Sequence, residues 1–104
     1  MLLNIYSIFD SAAAIYQRPF TAKSHGEVTR SFKDVCTDAD HEIGKHPEDY
    51  TLFCLGTFND GTGEVTGFGP ERVATALELV AATRQVNRDN IEDLHRNMKQ
   101  GSDA

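Results

Sequence analysis

Lys45–Asp60 reads KHPEDYTLFCLGTFND, and the folding of this stretch decides the fold of the chain. Pro47 marks a turn. Tyr50 to Phe58 follows as an apolar run with the aromatic and threonine content of a strand. Asn59-Asp60-Gly61-Thr62-Gly63 then offers glycines where a hairpin turn needs positive φ. Glu64-Val65-Thr66 begins the partner strand. The segment also carries two acids, a histidine and a cysteine, so a catalytic reading has to be weighed against a scaffold reading.

Upstream, Ser24-His25-Gly26-Glu27 is a capping box, in which serine and glutamate satisfy each other's free amides. Behind it Val28, Phe32, Val35, Cys36, Ala39 and Ile43 recur at helical spacing. Glu27, Arg30, Lys33, Asp34, Asp38 and Asp40 lie largely off that stripe. The pattern predicts an amphipathic helix that Gly44 closes and Pro47 prevents from continuing. At the start of the chain, Leu2 to Phe9 is apolar on both alternating faces, which predicts a central strand. Asp10-Ser11 ends it. Pro19 excludes a long helix nearby and confines a loose second strand to an edge.

Downstream, Gly67, Phe68 and Gly69 leave the partner strand, and Pro70 suits the first position of a helix. Val73, Ala76, Leu77, Val80 and Ala81 would form its buried face, to about Arg84. The element order is then β-β-α-β-β-α. The fold class is α+β: a small antiparallel sheet of three to four strands with two helices on one face. The second sheet face is apolar and needs a cover, most simply another copy of the chain. Residues 1–86 form one domain, and 87–104 form an extension, helical or disordered. Val73, Leu77, Val80, Arg84, Asn87, Ile91, Leu94 and Met98 alternate at heptad spacing. Either QVNRDN breaks that helix, or one long helix pairs with a second copy.

Composition bounds the function. The 104 residues suffice for one modest core. A net charge of −6 argues against a generic polyanion binder, but not against binding of a single strand by stacking. No apolar run approaches the roughly 20 residues of a membrane span. The first residues lack the basic region of a secretory signal, so a cytoplasmic location is the expectation. Cys36 and Cys54 read as small buried hydrophobes.

Reactive constellations are weak. His41 and His46 flank Gly44 and cannot share a helix face, and Cys36 does not complete a zinc pattern with them. A nucleophilic pair of Cys54 with His25 or His46 would need a proximity that sequence cannot supply. Glu48 and Asp49 suit a turn. GTGEVTGFGP lacks the Gly-Lys-Ser/Thr of a phosphate loop, and its spacing is not the dinucleotide fingerprint. No enzyme activity, cofactor or metal is therefore expected. Aromatic residues interleaved with cations are the remaining signal. Tyr16, Arg18, Phe20, Lys23, Lys45 and Tyr50 are the candidate nucleic-acid contacts, with Tyr16 and Tyr50 expected at the surface because each borders a turn.

Three segments carry a resemblance. Tyr6 to Asp10 gives Tyr-Ser-hydrophobic-aromatic-Asp, Tyr16 to Phe20 gives Tyr-x-x-Pro-Phe, and His46 to Asp60 gives HPEDYTLFCLGTFND. Together they resemble the small nonstructural protein of gokushovirus-type microviruses, phages with circular single-stranded DNA, over roughly residues 3 to 66. The chain departs from that pattern at Thr21 and at Ala12 to Ala14. The resemblance implies a protein made in the host bacterial cytoplasm and absent from the virion. It implies binding of viral single-stranded DNA and help in the switch from replication to packaging, without catalytic residues. Two function classes follow. The first is a single-stranded DNA-binding factor, dimeric, with no membrane role. The second is an adaptor that docks on host proteins or on the viral replication or procapsid machinery.

Overall fold

The computed structural model describes residues 1–84. The long stretch at the centre does form a hairpin. Strands β1 (Leu2–Asp10) and β4 (Tyr50–Asn59) lie side by side, antiparallel, from Leu2↔Asn59 to Asp10↔Tyr50. Strand β5 (Val65–Thr75) returns along β4. On the other side of β1 sit two short pieces, β2 (Ile15–Tyr16) and β3 (Phe20–Ala22), separated by Pro19. The order is β2-β1-β4-β5, with β3 also on β1. Proline splits the edge strand because it has no amide hydrogen for the ladder. The turn after β4 is built as its residues suggest. The Asn59 side-chain oxygen accepts from the Gly61 and Thr62 amides at 2.9 and 3.3 Å, and Gly63 takes φ 77°.

The helices gather on one face. Helix α1 (His25–Cys36) starts at Ser24, whose hydroxyl accepts from the Glu27 amide at 3.2 Å. A short α2 (Glu42–Lys45) and a single 3-10 turn, Pro47–Asp49, lead into β4. The chain becomes helical again (α3) at position 76 and remains so to 84. Tyr6, Leu52 and Cys54 from the sheet meet Val28, Phe32, Cys36 and Ile43 from α1 and α2, and Ala76 and Val80 from α3. Burying such side chains is the main stabilising term of a domain this size. Cys36 and Cys54 are free thiols in this core, and burial pushes the Cys36 thiol up to about 11.

Four sequence expectations about these elements are corrected. The helix that starts at Ser24 does not reach Ile43. It ends at Cys36, because the Thr37 hydroxyl turns back onto the Lys33 and Asp34 carbonyls at 3.0 and 3.3 Å, and Asp38 then caps the Asp40 amide at 2.9 Å. Ile43 belongs to α2, capped by His41 Nδ1, which accepts from the Ile43 amide at 3.1 Å. Gly44 is needed for closeness rather than as a helix stop: a Cβ there would strike the Asp38 carbonyl oxygen.

Pro70 is not the first residue of a helix. It lies within β5, which bulges between the residues paired with Cys54 and Gly56. Helix α3 starts six residues later, where Thr75 and Glu78 form their own capping box: the Glu78 amide donates to Thr75 Oγ1 and the Thr75 amide to Glu78 Oε2, both at 3.1 Å. Thr-x-x-Glu was present in the sequence and would have located this start. Val73 is therefore a strand residue, not the head of a heptad run. The rest of that run from Asn87 onward, the extension and the boundary at residue 86 lie outside the described residues.

Candidate nucleic-acid interface

A strand shows alternate side chains to opposite faces. On β1, Tyr6 and Ile8 face the helices, so Leu3, Ile5, Ser7 and Phe9 lie on the open face of the sheet. On β4, Leu52 and Cys54 face the helices, so Phe53 joins the open face. A bulge then changes the parity. Tyr6 pairs with Cys54 but Ile5 pairs with Gly56, leaving Leu55 as the extra residue. From there Gly56 and Phe58 share the open face with Ile5 and Leu3. Phe53 and Phe58, an odd number apart, thus stand on one surface.

One end of this surface is an aromatic cluster. The Phe9 and Tyr16 rings lie 4.7 Å apart, Tyr16 and Phe53 5.7 Å, and Phe9 and Phe53 6.3 Å. Their angles range from tilted to edge-on, the arrangement that ring quadrupoles favour. Tyr16 is 41% exposed, and Phe9 and Phe53 are half-buried. Across the ladder Phe53 pairs with Arg72, whose guanidinium donates to Glu78 Oε1 at 2.7 Å. That bond, and the Thr75 amide after it, hold the Glu78 carboxyl below its ordinary range.

At the other end Ile5, Pro19, Phe20, Thr21 and Phe58 line an apolar groove of about 290 Å³. Between the two ends the 17–19 connection folds across Ser7, whose hydroxyl donates to the Gln17 carbonyl at 2.6 Å. This leaves Ser7 fully buried.

The six candidates from sequence separate on this framework. Tyr16 sits in the aromatic cluster. Arg18 and Lys23 are exposed on the segments that flank β3. Phe20 lies at the sheet edge, stacked on Tyr6 with centroids 6.0 Å apart and 39% exposed. Lys45 is elsewhere, in α2, on the rim of a cavity of about 590 Å³ whose lining includes Cys36, Val80 and Arg84. Tyr50 is a core residue at 7% exposure, so its expected surface role is withdrawn. It pairs with Asp10 at the helix-facing end of β1. Burial, and then Asp10, Glu42 and Asp49, raise its phenol pKa. Bordering a turn does not expose a side chain when its strand parity turns it inward. Phe9 and Phe53 were missed as site residues, because only non-local pairing brings them to Tyr16, and so was Arg72, which the ladder sets opposite Phe53.

The residues of the reactive pairings considered from sequence have other partners. Cys54 is buried against the Gly56 carbonyl. His25 Nδ1 lies 2.6 Å from the Tyr6 hydroxyl, and Asn4 Nδ2 donates to that hydroxyl at 3.1 Å. Burial raises the Tyr6 pKa, against the Asn4 bond, which lowers it. His41 caps α2, while His46, Glu48 and Asp49 converge on the turn before β4 with ligand atoms within 4.8 Å. His46 there faces Glu42 and Glu48 at 4.0 and 3.7 Å, an ordinary pattern of surface charges around a turn.

Among the described residues, no helix is long and apolar enough to cross a membrane. Comparison with known proteins gives one family match, a model described as "Phage ORF5 protein", over residues 3–79. Neither the curated proteins nor the solved structures contain a match to the chain.

Proposed function

We propose that this chain, which belongs to the phage ORF5 protein family, binds single-stranded DNA through the open face of its sheet. The observation that carries the reading is the cluster of Phe9, Tyr16 and Phe53 on a face the helices leave bare. Every base has a π face, so rings on a sheet can hold unpaired bases without reading their sequence. Arg72 pairs with Phe53 across the ladder, and Arg18 and Lys23 are exposed on the segments that flank β3. Phe20 lies opposite Tyr6 at the sheet edge, beside the cluster's face rather than on it.

With a net charge of −6, long-range attraction contributes little, so affinity rests on stacking and a few phosphate contacts. The resemblance at Tyr6 to Asp10, Tyr16 to Phe20 and His46 to Asp60 supports a gokushovirus-type microvirus as the source. In that setting the protein acts without catalysis in the host cytoplasm, outside the virion, and assists the switch from replication to packaging. A homodimer suits the apolar end of the open face, where Leu3, Ile5, Phe58 and Val65 lie in adjacent register.

The test is a titration of labelled single-stranded oligonucleotide at low and moderate salt. Binding should weaken with salt, and Tyr16→Ala should cost about 1–3 kcal/mol per stacked base, or roughly 5- to 150-fold in Kd. Folded protein with no measurable affinity would remove the proposal. A second reading is favoured by the exposed apolar side chains Leu2, Val65, Phe68 and Leu77. They suit an adaptor for host or viral replication or procapsid proteins. A nuclease-resistant protein partner, recovered by material with no oligonucleotide affinity, would select that reading.

A further inference from the structure

We infer that Arg72 is the phosphate contact of the aromatic face and that Glu78 is a latch that must release it. The inference rests on the single-strand reading above and assigns two residues within it. Directly opposed residues of an antiparallel ladder share a face, so Arg72, paired with Phe53, stands beside the ring that touches both Phe9 and Tyr16. A base stacked on this cluster places its phosphate within reach of that guanidinium.

The guanidinium is already engaged. It donates to Glu78 Oε1 at 2.7 Å, with both side chains more than half exposed. Arginine carries its N–H donors in a fixed planar fork, so this one bond sets the orientation of the whole group toward Glu78. Exposed ion pairs of this kind are weak, and a phosphate can displace the carboxylate.

Glu78 is held in place independently of Arg72. Its second oxygen accepts from the Thr75 amide at 3.1 Å, as part of the α3 capping box. The carboxylate therefore cannot swing away freely, and it imposes a negative charge next to the proposed phosphate position. Phosphate and Glu78 compete for one cation. The latch sets a threshold for binding and ties DNA contact to the first turn of α3.

The probe is labelled oligothymidylate, titrated by fluorescence anisotropy across a salt series. Glu78→Gln keeps an oxygen for the Thr75 amide but removes the charge. It should tighten binding about 3- to 10-fold at low salt. Arg72→Ala should weaken binding by a similar factor and flatten the log–log salt slope by about 0.7, the loss of one phosphate contact on a single strand. In the Arg72→Ala background, Glu78→Gln should have less effect than it has alone. Thr75→Ala, which removes one capping bond without changing charge, controls for a merely structural effect, and circular dichroism checks that each variant is folded.

If wild-type protein binds and Glu78→Gln leaves affinity unchanged or weaker, the latch is refuted. If Arg72→Ala leaves both affinity and salt slope unchanged, the phosphate assignment is refuted. Absence of wild-type binding refutes the single-strand reading itself.

Discussion

Tyr6→Phe offers a sharp test of the core. The phenol is fully buried, and its ring is retained by the substitution, so no cavity is made. What disappears is the hydroxyl, which lies 2.6 Å from His25 Nδ1 and accepts from Asn4 Nδ2 at 3.1 Å. A net contribution of about 0.5–1.5 kcal/mol per hydrogen bond puts the cost at about 1–3 kcal/mol. Water can reach the partners, since His25 is exposed and Asn4 half-buried. The value should therefore fall near the middle, about 2 kcal/mol. At about 4–8 °C per kcal/mol for a domain of this size, the melting midpoint should fall by about 8–16 °C. Urea denaturation should show a lower midpoint with an unchanged slope. His25→Ala should cost less in the Tyr6→Phe background than alone, by at least about 0.5 kcal/mol, because the two groups are directly coupled. A Tyr6→Phe variant within about 0.5 kcal/mol of wild type, inside the scatter of ordinary surface substitutions, would refute the claim that this triad fastens α1 to the sheet.

Two further outcomes follow from the packing. Gly56→Ala should destabilise by about 1–3 kcal/mol, because the new methyl meets backbone that cannot yield: the Thr66 carbonyl group and Gly67 Cα lie against it. Gly67→Ala, whose nearest obstacle is the Leu55 carbonyl oxygen at 4.0 Å, should change the urea midpoint much less, and equal effects would remove the argument. Alkaline stability should depend on Cys36. Its thiol rises from an ordinary 9.0 to about 11 in the fold, so above pH 9 the unfolded chain releases the proton while the folded chain keeps it. Stability from this group is complete below about pH 9 and is lost as pH rises to about 11. Urea midpoints across that range should fall less steeply for Cys36→Ala, and an identical pH dependence would count against the assignment.

What the sequence determined by itself was local. Ser24 to Glu27 started a helix because the serine hydroxyl accepts from an amide of the first turn. Asn59 to Gly63 reversed the chain because an asparagine oxygen and flexible glycines suffice for that geometry. The apolar runs at Leu2 to Phe9 and Tyr50 to Phe58 made strands, and Pro19 held its neighbours to an edge. The α+β class followed from those pieces. Even the start of α3 was written in Thr75 and Glu78, although the proline at position 70 drew the expectation upstream.

Which residues share a surface was decided by the tertiary structure. Tyr50 and Tyr16 look alike in sequence, each beside a turn. Parity on β4 turns Tyr50 into the core, while β2 places Tyr16 against Phe9. Phe53 joins them only because β1 pairs with β4 in one particular register. The bulge at Leu55, imposed by that pairing, brings Phe58 to the same side as Phe53 although simple alternation would part them. Periodicity describes each strand in isolation. A face is made by several strands at once, and their relative register is fixed by burial and hydrogen bonding between segments far apart in the chain.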